Sequence, residues 1–155
     1  MELIELKKFA LLEHLKESDY PEITIDDITE GYNESNFEAF NREYNIFNEE
    51  EREKAVTEYI KESVWAFNPD FILQNSRIEW NDNREFTQIE KALKEMQEKL
   101  CESANPLVLA LIEDFDLFVK SAVDTDSYGH FLSGYDGNEN EEKIENTWFY
   151  IYRTN

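Results

Sequence analysis

Three of the chain's four glycines (Gly129, Gly134 and Gly137) fall inside residues 128–137, which read Y-G-H-F-L-S-G-Y-D-G. Glycine tolerates positive φ and close backbone approach. A chain this poor in glycine therefore concentrates its tightest backbone geometry in one place. The stretch also holds His130, one of two histidines. Ahead of it stands the most apolar run, residues 106–123. Behind it come an acid run, residues 139–145, and an aromatic run, W-F-Y-I-Y-R. The pattern predicts a tight turn that joins a buried helix to a last strand and projects the acid run from a defined position.

The length, 155 residues, is that of a single domain, 1–155. Apolar residues make up 41% and aromatics 14%, enough to build a core and to argue against disorder. Against this stand 36 acids and 15 bases, a formal charge of −21. Self-repulsion on that scale costs stability. It points to a basic partner, a metal or a demand for solubility. Direct binding to nucleic acid or to an anionic membrane is disfavoured, because phosphates would be repelled. The one cysteine, Cys101, excludes an internal disulfide and a cysteine zinc site. Beside Leu100 and Ala104 on a helical pattern, it reads as a buried thiol. The first residues, M-E-L-I-E-L-K-K-F, lack the features of a signal peptide, and no apolar run approaches about 18 residues. The expected location is cytoplasmic.

Apolar spacing predicts an amphipathic helix over residues 2–18, with His14 near its polar side. E-I-T-I-D-D-I reads as a short strand. Residues 37–47 read as a hairpin, with Phe37 and Ala39 alternating against Tyr44 and Ile46 around Asn41-Arg42. Asn48 then caps a helix whose first turn is Glu49, Glu50 and Glu51 and which stops before Pro69. Phe71, Ile72 and Leu73 suggest a turn or strand. Thr87 caps a helix running to Ala104, and Pro106 opens a single buried helix to Val123. W-F-Y-I-Y-R, apolar on both faces, belongs inside a sheet. The expected class is α+β: about four helices on a small antiparallel sheet, made of the N-terminal hairpin and the C-terminal strand.

The charge is uneven. Residues 1–53 carry 16 acids and 5 bases, residues 54–105 carry 10 and 7, and residues 106–155 carry 10 and 3. The acids therefore concentrate at the two ends. If the terminal strands share a sheet, the charge forms a face. Carboxylates on one helix face stand roughly 5–6 Å apart, close to the spacing of phosphates along a nucleic-acid strand. Such a face would compete for a Lys/Arg groove with salt-sensitive affinity. The residues expected to form it are Glu49, Glu50, Glu51 and Glu53, with Tyr135, Asp136, Glu139, Glu141, Glu142 and Glu145.

No motif assembles a reaction. Asp124, Asp126 and Gly129 open like a calcium loop, but Tyr128 and Tyr135 occupy positions that need oxygen ligands. His130 with Asp124, Asp126 and Asp136 supplies acid–base groups, yet Ser133 lacks a nucleophile elbow. Phosphate loops, H-E-x-x-H and CxxC patterns are absent. The reading is of no enzyme, no cofactor and no dedicated metal ligands.

Two stretches carry a resemblance. Residues 37–72 run from F-E-A-F-N-R-E-Y-N-I-F to W-A-F-N-P-D-F-I. Residues 100–119, L-C-E-S-A-N-P-L-V-L-A-L-I-E-D-F-D-L-F-V, continue into G-H-F-L-S-G-Y-D-G-N-E-N-E and end Y-I-Y-R-T-N. Together they resemble small acidic accessory proteins of phages, prophages and other mobile elements. The resemblance implies an antagonist of host defence, of the antirestriction or anti-CRISPR kind that acts as a decoy for DNA. It brings no catalytic residues. Three readings stand side by side: a non-enzymatic inhibitor in the basic groove of a defence nuclease or nucleic-acid-binding protein; an assembly module, homodimeric or otherwise, whose acidity serves solubility; and a small metal-binding protein using Asp124, Asp126, His130 and Asp136.

Overall fold

The computed structural model describes residues 1–155. The chain is an α+β protein with seven α-helices and one five-stranded antiparallel sheet. Two compact units form: Met1–Val56 with Asp126–Asn155, and Thr57–Thr125. No helix is long and apolar enough to cross a membrane.

In the first unit, α1 (Leu3–Ser18) packs on the sheet formed by β1 (Thr29–Glu30), β2 (Asn36–Ala39), β3 (Arg42–Phe47), β4 (Asn140–Ile144) and β5 (Thr147–Arg153). The strand order is β1-β2-β3-β5-β4. Side chains alternate across a strand, and the register pairs Phe37 with Tyr44, Ile46 with Ile151, and Glu142 with Phe149. The apolar members of those pairs face α1 and bury with Ala10, Leu11 and Leu15. Phe47, Trp148, Tyr150 and Tyr152 turn to the opposite face, with Glu141 and Lys143. β5 is thus an interior strand, as its two-sided apolarity predicts, and Phe149, Ile151 and Tyr152 are fully buried.

The β2–β3 hairpin turns at Phe40 and Asn41, both at positive φ (51° and 61°), one residue ahead of the expected Asn41-Arg42. That conformation suits asparagine. Phe40 is held there against the Tyr20 ring, 4.4 Å between centroids. Residues 22–28 do not form the expected strand. They make a 3-10 turn, Ile25–Asp27. The Asp27 carboxylate accepts from the amide and hydroxyl of Thr24 at 2.8 and 2.9 Å, a local closure that competes with a ladder. The acid run departs the other way: instead of projecting from a turn, most of it is edge strand β4. Its charged residues discourage pairing with foreign strands.

Helix α2 (Glu49–Ser63) begins in the first unit and ends in the second. Asn48 and Glu51 cap it reciprocally, each backbone amide donating to the other's side chain at 2.9 Å. In the second unit, Phe71, Ile72 and Leu73 lie in α3 (Pro69–Gln74), a helix capped by Asn68. Asp82, not Thr87, caps α4 (Asn83–Leu100), so that helix starts earlier and ends sooner than expected. Cys101 follows it at φ 49° and is exposed, not buried. The single helix expected over 106–123 is two, α5 (Asn105–Leu111) and α6 (Phe115–Asp126). Ile112 is extended between them and pairs with Ser76. The amide of Arg77 donates to Leu111 at 2.9 Å and that of Glu113 to Asn75 at 3.0 Å. Phe118 centres this unit's core, its ring 5.0 and 5.1 Å from those of Phe71 and Phe67.

The glycine stretch forms the short helix α7 (Tyr128–Leu132) and a loop that closes back on it. A Cβ at Gly129 would stand 2.2 Å from the Gly137 carbonyl oxygen, so only glycine lets the two backbones meet. Gly137 itself sits at φ 72°.

Candidate functional site

Arg52, one turn into α2, organises the acids around it. Its guanidinium lies between two tyrosine rings, 3.9 Å from the Tyr128 centroid and 3.6 Å from that of Tyr150. Nη1 donates to both carboxylate oxygens of Glu139, at 3.2 and 3.3 Å. The hydroxyl of Tyr152 donates to the same carboxylate, and that of Tyr128 donates to Glu53. Arg52 is 9% exposed and its Nε has no hydrogen-bond partner. Stacking on both faces offsets that deficit. Burial and the Glu53 carboxylate push the Tyr128 hydroxyl up to about 12. Tyr152 is raised further, by burial and then by Glu139.

Acids from both ends of the chain meet here. Burial raises the Tyr150 hydroxyl, Arg52 opposes that rise, and Glu141, Glu49 and Glu139 add to it. The first unit carries 22 acids against 8 bases, a net of −14, and the second 14 against 7, a net of −7. A second meeting point lies at the seam of α1 and β4. Glu142 faces α1, and its carboxyl is raised by burial and then by Glu17 and Glu13. His14, expected near the polar side of α1, is half-buried, and burial lowers its imidazole against the pull of Asp19, Glu17 and Asp136.

The expected acidic residues divide by what they touch. Glu51 accepts from Lys7 Nζ at 2.8 Å. That lysine is 1% exposed and also donates to Ser35 Oγ and the Glu34 carbonyl, at 2.9 and 3.2 Å. Glu53 and Glu139 are held by the Arg52 cluster. Asp136 closes its own loop, accepting from the Asn138 amide at 3.0 Å and lying 2.9 Å from Ser133 Oγ. Burial pushes its carboxyl up, but these bonds and nearby Arg153 bring it below the ordinary value. Glu142 is half-buried. Glu49, Glu50, Glu141 and Glu145 are exposed, with Glu145 at φ 56° in the β4–β5 turn. Tyr135 is exposed and lies under the Arg153 guanidinium, 3.6 Å from its ring centroid.

Asp124, Asp126, His130 and Asp136 do not gather, and nowhere do three or more His, Cys, Asp or Glu residues form a metal-ligand group. Sequence reading overlooked Arg52, Lys7, the three tyrosines and the α1 acids Glu13 and Glu17. The signal was faint but present: an arginine one turn into a helix that opens with three glutamates, and tyrosines at alternate positions of β5. Comparison with known protein families, with curated proteins and with solved structures finds no match.

Proposed function

We propose that this protein is a non-enzymatic inhibitor, a mobile-element accessory protein that occupies the basic groove of a host-defence nuclease or nucleic-acid-binding protein inside the cell. The observation that supports this reading is the meeting of both acidic chain ends, Glu53 with Glu139 and Glu141, around one Arg52–tyrosine stack. A fixed array of carboxylates is what a Lys/Arg groove built for phosphates would accept. Glu139 is engaged by Arg52 and Tyr152, so exposed Glu49, Glu50 and Glu141, with Glu53 held by Tyr128, are the carboxylates left to meet such a groove. The test is competition by fluorescence anisotropy. A restriction endonuclease and a CRISPR effector ribonucleoprotein are each bound to labelled DNA and titrated with the protein as salt is raised. The expected result is displacement of DNA with an affinity that falls steeply with salt. An affinity indifferent to salt would sink the reading.

The assembly-module reading draws on a different observation. Leu107 and Leu117 of the second unit are 49% and 57% exposed. On that reading sedimentation would show a dimer, and reversing Glu139, Glu141, Glu142 and Glu145 would leave partner binding intact.

A further inference from the structure

The three arginines of the first unit each lie over a tyrosine ring. Arg42 stands 5.1 Å from the centroid of Tyr20, Arg52 lies between Tyr128 and Tyr150, and Arg153 stands 3.6 Å from Tyr135. A lysine, Lys143, approaches Trp148 at 5.7 Å, near the roughly 6 Å limit of such contacts. The sheet face opposite α1 continues this chemistry to the surface. Trp148 and Tyr150 are alternate residues of β5 on that face, and Trp148 is 48% exposed. Exposed Glu141 is the cross-strand partner of Tyr150. Arg52 takes one side of the Tyr150 ring and Lys143 stands by that of Trp148, so the ring surface left to a partner is the exposed part of Trp148. Such a surface with Glu141 nearby suits a guanidinium, which stacks through its plane and donates two parallel N–H bonds. An ammonium is compact and strongly hydrated, and gains less from the same surface.

Building on the decoy reading above, we propose that the sheet face carrying Trp148, Tyr150 and Glu141 is its contact patch, and that it takes an extended, arginine-bearing segment of the partner in preference to a lysine-bearing one. Charge complementarity commits the occupant to a cation, and the flat stacking of a guanidinium, which the chain already uses at Tyr20, Tyr128, Tyr150 and Tyr135, favours arginine over lysine.

The test uses the intact protein and two peptides of equal charge, nona-arginine and nona-lysine, titrated calorimetrically at about 50 mM salt, where screening is weak. Nona-arginine is expected to bind at least about fivefold more tightly. Trp148→Leu, a half-exposed position whose folding is checked by melting, should bring the two peptides within about twofold and leave nona-lysine nearly unchanged, because only the ring contact is lost. Glu141→Gln should weaken both. Equal binding of the peptides to the unaltered protein would overturn the inference alone, as would an arginine preference that survives Trp148→Leu. Failure of both peptides to bind would remove the decoy reading and this inference with it.

Discussion

Arg52 is a buried charge paired with Glu139 at 3.2 Å, with Glu53 at 3.9 Å, and stacked between two rings. Replacing it leaves Glu139 at the same place without its cation, and breaking a buried pair in this way costs on the order of 3 kcal/mol. Arg52→Met is therefore expected to lose about that much in urea unfolding, and Arg52→Lys to fall between, since it keeps the charge without the flat stack. Near-wild-type stability for Arg52→Met would show the stack to be ornamental. Glu142 makes the opposite case. Its folded-state value is raised, so folding favours the protonated form. Its favourable contribution is fully present below the ordinary glutamate value and is lost as pH rises through the raised one. At neutral pH the Glu142 carboxylate faces α1 beside Glu13 and Glu17 as a like charge. Glu142→Gln should raise the melting temperature at pH 7, and the gain should vanish near pH 4. A gain that persists unchanged at that pH would show that charge is not its cause.

Elements are joined by a few polar ties. Lys7 of α1 holds Glu51, which also caps α2, and so links the start of that helix to the residues before β2. Lys7→Met is expected to cost about 3 kcal/mol. The Lys7→Met/Glu51→Gln pair should cost less than the sum of its singles in a double-mutant cycle. Gly129→Ala drives a Cβ into the Gly137 carbonyl. It should cost about 1–3 kcal/mol and speed amide exchange across β4, the strand that follows this loop. No change in β4 exchange would mean that the loop does not position the strand. Some of this was readable from residues alone. α1, the β2–β3 hairpin, the α2 cap and β5 follow from periodicity and turn chemistry that act within a few residues. β4 was hidden because its alternation runs through charged side chains. The break at Ile112 had one local sign, Asp114, whose carboxylate accepts from the Leu117 amide at the start of α6, and one distant partner, Ser76, that no local spacing records.

For the molecule as a whole, repulsion among surplus acids opposes folding, most of all in the first unit, with its net of −14. Screening should relieve it. Raising sodium chloride from about 20 to about 500 mM, which shortens the screening length well below 10 Å, is expected to raise the melting temperature by several degrees. A decrease would show that ion pairs such as Lys7–Glu51 outweigh the repulsion. By itself the sequence determined the sign and size of the charge, its concentration at the two chain ends and the α+β class, because these depend on composition and short-range pattern. Only the tertiary structure decided which carboxylates face solvent and which are bound to Lys7, Arg52 and the tyrosines. That choice rests on burial and on pairing between residues as far apart as Arg52 and Glu139, and no local spacing records it.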